Sequence, residues 1–136
     1  MINEQKTLER IVVFSIEVAQ KMLDEYETVI PFGVRAFADS DDVMMKCYQE
    51  ELPKANWDEL IKTTVDELKK SVEEEEIFAT AIVLSVESEN STGIGLQIDT
   101  RQAPALFVYP YHKKDDKWVI DEPTQAEMLI APRVFS

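Results

Sequence analysis

The chain has 136 residues, and its 27 Asp and Glu against 14 Lys and Arg give a formal net charge of −13 at pH 7. This balance argues against nucleic acid and anionic membranes as partners, because both are bound through clustered Lys and Arg. The longest basic runs in this chain are only the pairs Lys69-Lys70 and Lys113-Lys114. A hydrophobic content of 45% argues against a disordered chain.

The first predicted element is a helix over about Gln5 to Glu27, because apolar residues recur there at the helical period. The repeating positions are Leu8, Ile11, Val12, Ser15 or Ile16, Ala19, Met22, Leu23 and Tyr26. Val13, Phe14 and Val18 widen this apolar stripe beyond that of an ordinary surface helix. The width predicts a helix that is either wedged between two layers or partly covered by another chain.

A β-hairpin is predicted next, with strands at Phe32–Phe37 and Val43–Tyr48. The segment between them is rich in Asp, which favours turns. Asp39, Asp41 and Asp42 resemble the alternating oxygen ligands of a Ca²⁺ site, but the Gly and the distant Glu of an EF-hand loop are missing. The sequence therefore favours a turn and predicts no metal site here.

The second helix is predicted to follow Asn56, whose side chain can cap the free amides, with Glu59 three residues later as in a capping box. Its apolar face consists of Trp57, Leu60, Ile61, Thr64, Val65, Leu68 and Val72. Four consecutive acids follow: Glu73, Glu74, Glu75 and Glu76. Carboxylates at the C-terminal end of a helix are unfavourable, because that end carries a partial negative charge. This run is therefore either a solvated connector or an acidic patch for a partner.

The longest predicted strand, Ile77–Val86, is apolar on both faces, which places it near the middle of a sheet that is covered twice. By alternation, one face carries Phe78, Ile82, Leu84 and Val86, and the other carries Ile77, Ala79, Ala81 and Val83. Further strands are predicted around Ile94–Ile98, Leu106–Tyr109 and Trp118–Ile120. Met128–Ile130 is expected to form a helical turn or an irregular segment.

The element order α-β-β-α-β-β-β predicts an α+β fold in which two helices pack on a mainly antiparallel sheet of about five strands. Profilin-like and roadblock-like domains have a similar succession, but this likeness rests on element order alone and implies no function. The sequence contains no long linker and no internal repeat, so it predicts a single α+β domain over residues 1–136.

The sequence also predicts a cytoplasmic protein. Charged residues precede the apolar Ile11–Phe14, so the pattern of a signal peptide is missing, and the apolar runs are too short to span a bilayer. Cys47 is the single Cys and cannot form an internal disulfide. Strand parity places it on one face with Val43 and Met45, which predicts a small buried side chain.

No catalytic, cofactor-binding or metal-binding residue is predicted. His112 is the single His, and no nucleophile with an orienting partner lies near it in sequence. It is interpreted as a residue at a strand end that faces solvent or caps a turn. The three Gly match neither a phosphate loop nor a dinucleotide-binding fingerprint.

The leading hypothesis is a small non-enzymatic binding or interaction domain that self-associates as a homodimer, because its broad apolar surfaces need cover. The interface or a pocket is predicted at Phe107, Tyr109, Tyr111 and His112. An alternative is an inhibitor or immunity-type protein that binds a basic protein through Glu73–Glu76, since residues 57–90 carry ten acids and three bases. A third alternative is a small-ligand pocket or an enzyme site between the second helix and the sheet.

Overall fold

The computed structural model describes residues 4–40, 42–87 and 91–135. The described residues form two α-helices, α1 (Glu4–Tyr26) and α2 (Trp57–Glu74), and a short 3-10 helix at Tyr48–Glu50. They also form seven strands: β1 (Phe32–Phe37), β2 (Val43–Lys46), β3 (Ile77–Glu87), β4 (Thr92–Asp99), β5 (Ala105–Lys114), β6 (Lys117–Ile120) and β7 (Thr124–Ala126). Asp41, of the predicted turn in the first hairpin, and residues 88–90, between the predicted strands Ile77–Val86 and Ile94–Ile98, lie outside the described residues.

The strands form one sheet in the order β2-β1-β3-β4-β5-β6, and β7 pairs with β5 along the same edge as β6. Each pairing within the described residues is antiparallel. The predicted α+β fold with two helices on a mainly antiparallel sheet is confirmed. The stated number of about five strands was too low. It left out the strand predicted around Trp118–Ile120, which forms β6, and β7 was not predicted because its three residues carry no apolar alternation.

Helix α1 lies in the hollow of the curled sheet, where it contacts β1, β2, β3, β4 and β6. Ile11, Ser15 and Ala19 are fully buried on its central face. Phe14 and Val18 pack at the margins of the same core as half-buried side chains. The curvature of the sheet thus explains most of the broad apolar stripe, because strands from both ends of the sheet reach the helix.

Helix α2 packs on the opposite face of the sheet, so β3 is covered on both sides. Its first turn is capped by Asn56, whose Oδ1 accepts a hydrogen bond from the Glu59 amide at 2.8 Å. The helix approaches β1 closely, since a Cβ atom added at Gly33 would lie 2.8 Å from Cγ2 of Thr64. Close packing of this kind leaves little space between α2 and β1.

The predicted faces of β3 were wrong at the start of the strand. Phe78 packs in the core beneath α1, whereas Ile77 belongs to the core beneath α2. An irregularity in the β1–β3 register causes the exchange, because Ala36 pairs with Ala79 while Phe37 pairs with Ile77. One extra residue on a strand shifts every side chain before it to the other face.

The irregular segment after β7 completes the second face of the sheet. Gln97 on β4 accepts hydrogen bonds from the amides of Ile130 and Ala131 at 2.9 and 3.1 Å, and it donates one to the Ala131 carbonyl at 2.8 Å. Farther along β4, the Asp99 carboxylate accepts hydrogen bonds from the Val134 and Phe135 amides at 2.8 and 3.1 Å. Two buried polar side chains therefore hold the C-terminal segment beside α2.

Candidate functional site

A cavity of about 650 Å³ opens beyond the C-terminal end of α1, in the hollow of the sheet. Its lining combines three large aromatic side chains with carboxylates and hydroxyls, and we refer to it as the aromatic cup. The lining residues are Glu27, Thr28, Trp57, Ser85, Glu87, Thr92, Tyr111 and Trp118. They come from the end of α1, the start of α2 and four neighbouring strands.

The floor of the aromatic cup follows from strand alternation. Ser85 and Glu87 continue the β3 face that carries Val83, which is buried beneath α1. Thr92 pairs with Glu87 across the β3–β4 ladder and lies on the same face. Because α1 ends at Tyr26, the polar ends of these strands remain uncovered and form a recess.

Ser85 fixes the position of the cup's inner wall. Its Oγ accepts hydrogen bonds from the Val29 amide at 2.8 Å and from the Thr28 hydroxyl at 3.2 Å. The same oxygen lies 2.9 Å from the Tyr111 hydroxyl. The Tyr111 ring meets the Trp118 ring edge to face, with centroids 5.5 Å apart. These contacts make the aromatic wall a preorganised surface.

The rim of the cup contains an ammonium group from the chain itself. Lys113 Nζ lies 2.9 Å from the Glu27 carboxylate and 5.2 Å from the centroid of the Trp118 ring. The hydrogen bond and charge of Lys113 lower the pKa of Glu27, and the same contacts raise the pKa of Lys113. Within the described residues no Lys or Arg forms an ion pair with Glu87, which is also exposed.

The electrostatics of the cup favour a cation. The carbonyl end of α1 carries a partial negative charge, and Glu27 and Glu87 add two carboxylates. A cation over an aromatic face gains about 0.5–2 kcal/mol, depending on its exposure. Among the described residues, the Ser85 hydroxyl has hydrogen-bond partners at Thr28, Val29 and Tyr111. The arrangement is suited to binding.

The four predicted interface or pocket residues on β5 are divided between two faces and two cavities. Phe107, Tyr109 and Tyr111 face α1, whereas His112 faces the opposite side, with its Nδ1 3.1 Å from Asp121 Oδ2. Tyr111 lines the aromatic cup, and burial beside α1 raises the pKa of Tyr109. Phe107 lines a different cavity nearer to the start of α1.

This second cavity has a volume of about 580 Å³ and lies between the first half of α1 and the β4–β5 connection. Most of its lining is apolar, and we refer to it as the apolar groove. Its apolar residues are Leu8, Val12, Val13, Ile98, Ala103, Ala105 and Phe107. Val13 is 58% exposed, so part of the broad stripe of α1 remains uncovered by the chain.

The predicted acidic patch is exposed, but two of its members contribute contacts to the fold. Arg35 Nη1 donates hydrogen bonds to Glu75 Oε2 at 2.9 Å and to Ser71 Oγ at 2.8 Å. The Glu76 carbonyl accepts a hydrogen bond from the Ala38 amide at 2.7 Å. These contacts tie the end of α2 to β1, and the Glu74 side chain is exposed.

The remaining predicted sites have simple structural surroundings. Cys47 is half-buried, and its Sγ lies 3.6 Å from the Pro31 carbonyl oxygen. Asp39 and Asp42 belong to the β1–β2 connection, and in the described parts of the chain no three His, Cys, Asp or Glu side chains are placed to hold a metal ion. The recess between α2 and the β1–β2 hairpin, which includes Gly33, has a volume of only about 20 Å³.

Comparison with models of protein families, with curated proteins and with solved structures found no match to this chain. Neither helix described above combines the length and the apolar character that a membrane crossing requires. Sequence reasoning missed Trp57, Trp118, Ser85 and Glu27 as members of one site. The usable signal was the pair of Trp residues, because large aromatic side chains are enriched where one protein binds another.

Proposed function

We propose that this chain is a non-enzymatic binding domain whose aromatic cup receives a Lys or Arg side chain of a basic protein partner. The observation that carries the proposal is the position of Lys113, whose ammonium group contacts the Glu27 carboxylate and the face of Trp118. This intramolecular contact pairs a cation with a carboxylate and an aromatic ring, two of the kinds of group that line the cup. Glu87, without a basic partner of its own in the described chain, offers a second carboxylate.

The charge of the chain supports a basic partner. Residues 57–90 carry ten acids and three bases, and the aromatic cup lies at the border of this acidic region. Complementary charge accelerates the encounter of two proteins and favours the correct orientation. Trp57 lines the cup and is 38% exposed, and Trp side chains commonly dominate binding energy once they are covered.

The experiment titrates the protein with a hexa-arginine peptide and follows Trp fluorescence at several salt concentrations. We expect saturable binding that weakens as salt is raised, since exposed charge pairs are screened. Glu87→Gln should weaken the binding about threefold or more, as loss of a charge-assisted contact predicts. Glu17→Gln removes the same charge from the exposed side of α1 and serves as the matched control.

Equal effects of Glu87→Gln and Glu17→Gln would show that the peptide responds only to net charge, and would contradict the proposal. Trp57→Leu gives an independent readout, because it removes an aromatic wall without changing any charge. If Trp57→Leu binds the peptide as tightly as the unaltered chain does, the cup is not the binding site.

Self-association at the apolar groove is a second proposal, favoured by the exposure of Val13 beside Leu8 and Val12. An exposed apolar patch on one copy can be covered by the same patch on another in a two-fold dimer. Sedimentation velocity should show a dimer, and Val13→Glu should convert it into a monomer that remains folded. A monomer at high protein concentration before any substitution would contradict this proposal.

We also propose a cytoplasmic setting, in agreement with the single cysteine.

A further inference from the structure

A third cavity, of about 580 Å³, lies between α2 and the C-terminal segment and brings together basic side chains. Lys69 comes from α2, Arg101 from the β4–β5 connection and Arg133 from the C-terminal segment. The other lining residues are Val72, Glu73, Val134 and Phe135. Three bases and one acid give this basic cleft the opposite sign to the chain as a whole, whose net charge is −13.

Arg133 is held rigidly at the back of the basic cleft. Its Nη2 donates hydrogen bonds to Asp99 Oδ1 at 2.9 Å and to the Thr100 carbonyl at 3.1 Å, and its Nε lies 3.3 Å from the same carboxylate oxygen. The Asp99 side chain is only 3% exposed, whereas that of Arg133 is 34% exposed. The guanidinium is therefore fixed by its buried partner while it still faces the cavity.

The other two cations lack carboxylate partners in the described parts of the chain. Arg101 stacks over the Phe135 ring, with Cζ 5.7 Å from the ring centroid, and it forms no ion pair there. Lys69 is half-buried and likewise forms none, although Glu73 lines the same cleft. Among the described lining residues, with Arg133 neutralised by Asp99, Lys69 and Arg101 contribute two positive charges and Glu73 contributes one negative charge.

We propose that the basic cleft binds a small organic anion whose carboxylate or phosphate group contacts Lys69, Arg101 and Arg133. Guanidinium groups donate pairs of hydrogen bonds that match both kinds of oxyanion, and an ammonium group adds a compact point charge. Val72, Val134 and Phe135 provide apolar walls for the body of the ligand. The site is separate from the aromatic cup, with which it shares no lining residue.

The test uses three probes at constant ionic strength: inorganic phosphate, phenyl phosphate and benzoate. Amide resonances of Val134 and Phe135 are followed by NMR during each titration. Phenyl phosphate should bind more tightly than inorganic phosphate, because its ring can cover the apolar walls. Benzoate compared with phenyl phosphate distinguishes a carboxylate site from a phosphate site.

Lys69→Gln should weaken binding of the best probe about tenfold, the loss expected for a charge-assisted hydrogen bond. Lys70→Gln changes the neighbouring, exposed lysine by the same charge and should leave the affinity within a factor of about two, as expected for a screened surface charge. Glu73→Gln should tighten binding, since it removes the one carboxylate that lines the cleft.

Arg101→Gln provides a second variant if Lys69→Gln lowers the stability of α2, because Arg101 is exposed and lies outside the helices and strands. Saturable shifts whose affinity falls about tenfold in Lys69→Gln or in Arg101→Gln, and stays within a factor of about two in Lys70→Gln, support the site. The proposal is overturned if no probe produces saturable shifts, or if Lys69→Gln and Lys70→Gln bind alike.

Discussion

The Glu27 carboxylate and the Lys113 ammonium group lie 2.9 Å apart although 86 positions separate them in sequence. Their ion pair connects the end of α1 to the far end of β5 at the rim of the aromatic cup. Glu27 adopts a left-handed backbone conformation, with φ of 61°, which L-residues rarely favour. The backbone at the end of α1 thus turns in a way that places this side chain against β5.

Lys113→Gln should raise the pKa of Glu27 toward its ordinary value, because the hydrogen bond and charge of Lys113 are what lower it. A lowered pKa in the folded state stabilises the fold above the unfolded-state pKa, and this contribution is lost as pH falls through the folded-state pKa. Carboxyl NMR titration measures the pKa directly. Lys114→Gln, at the neighbouring position, should leave the Glu27 titration unchanged; equal shifts would contradict the pairing.

Ser85→Ala should destabilise the chain by about 1–3 kcal/mol, because the buried Val29 amide would lose the acceptor that lies 2.8 Å from it. Tyr111→Phe removes only the hydroxyl on the cup side of the same network and should cost about 0.5–1.5 kcal/mol. Urea unfolding of both variants measures the difference. A larger cost for Tyr111→Phe than for Ser85→Ala would mean that Ser85 does not anchor the wall.

The helices and strands of this fold were predictable where the signal lies within a short stretch of sequence, as the spacing of apolar residues or a capping residue does. Phe32–Phe37 was predicted as a strand with its observed bounds, and Asn56 was predicted as the cap of α2. The second strand was predicted to run to Tyr48 but ends at Lys46, because a 3-10 helix begins at Tyr48. The pattern of apolar and polar residues therefore predicts that a strand or helix exists, but it does not determine the residue at which the element ends.

The aromatic cup could not be predicted from local pattern, because its residues lie far apart in sequence. Trp57 occupies the first position of α2, while Trp118 lies in a strand of four residues, and the tertiary fold brings them to one cavity. The sequence predicted Phe107, Tyr109 and Tyr111 as interface or pocket residues, and in the structure strand alternation places all three on the face toward α1. The sequence pattern of β5 carried no information about where α1 ends. The end of α1 divides this face of β5 between the apolar groove and the cup.

Gly33→Ala should destabilise the chain by about 1–3 kcal/mol through overpacking between α2 and β1. The new Cβ would lie 2.8 Å from Cγ2 of Thr64, a fully buried β-branched residue whose hydroxyl is bound to the Leu60 carbonyl. Gly95→Ala is the matched variant, because its nearest contact at 2.9 Å is the flexible end of Ile130. Thermal unfolding should show the smaller loss for Gly95→Ala, and the reverse order would contradict tight α2 packing.

Asp99→Ala should release the C-terminal segment from the sheet. The substitution removes the acceptor of the Val134 and Phe135 amides and the buried partner of Arg133, and unsatisfied buried groups cost about 1–3 kcal/mol. Hydrogen exchange should accelerate at those two amides before it changes in β3, which lies in the middle of the sheet.

Asp121→Ala provides the control for this prediction, because Asp121 pairs with His112 at a site where both side chains are about half exposed. Pairs of this kind contribute about 0–1 kcal/mol, so this variant should leave the exchange at Val134 and Phe135 unchanged.

If both amides remain protected in Asp99→Ala, the segment is held by the apolar contacts of Ala131, Val134 and Phe135 rather than by the carboxylate. The basic cleft would then keep its shape without Asp99, and probe binding in Asp99→Ala measures that directly.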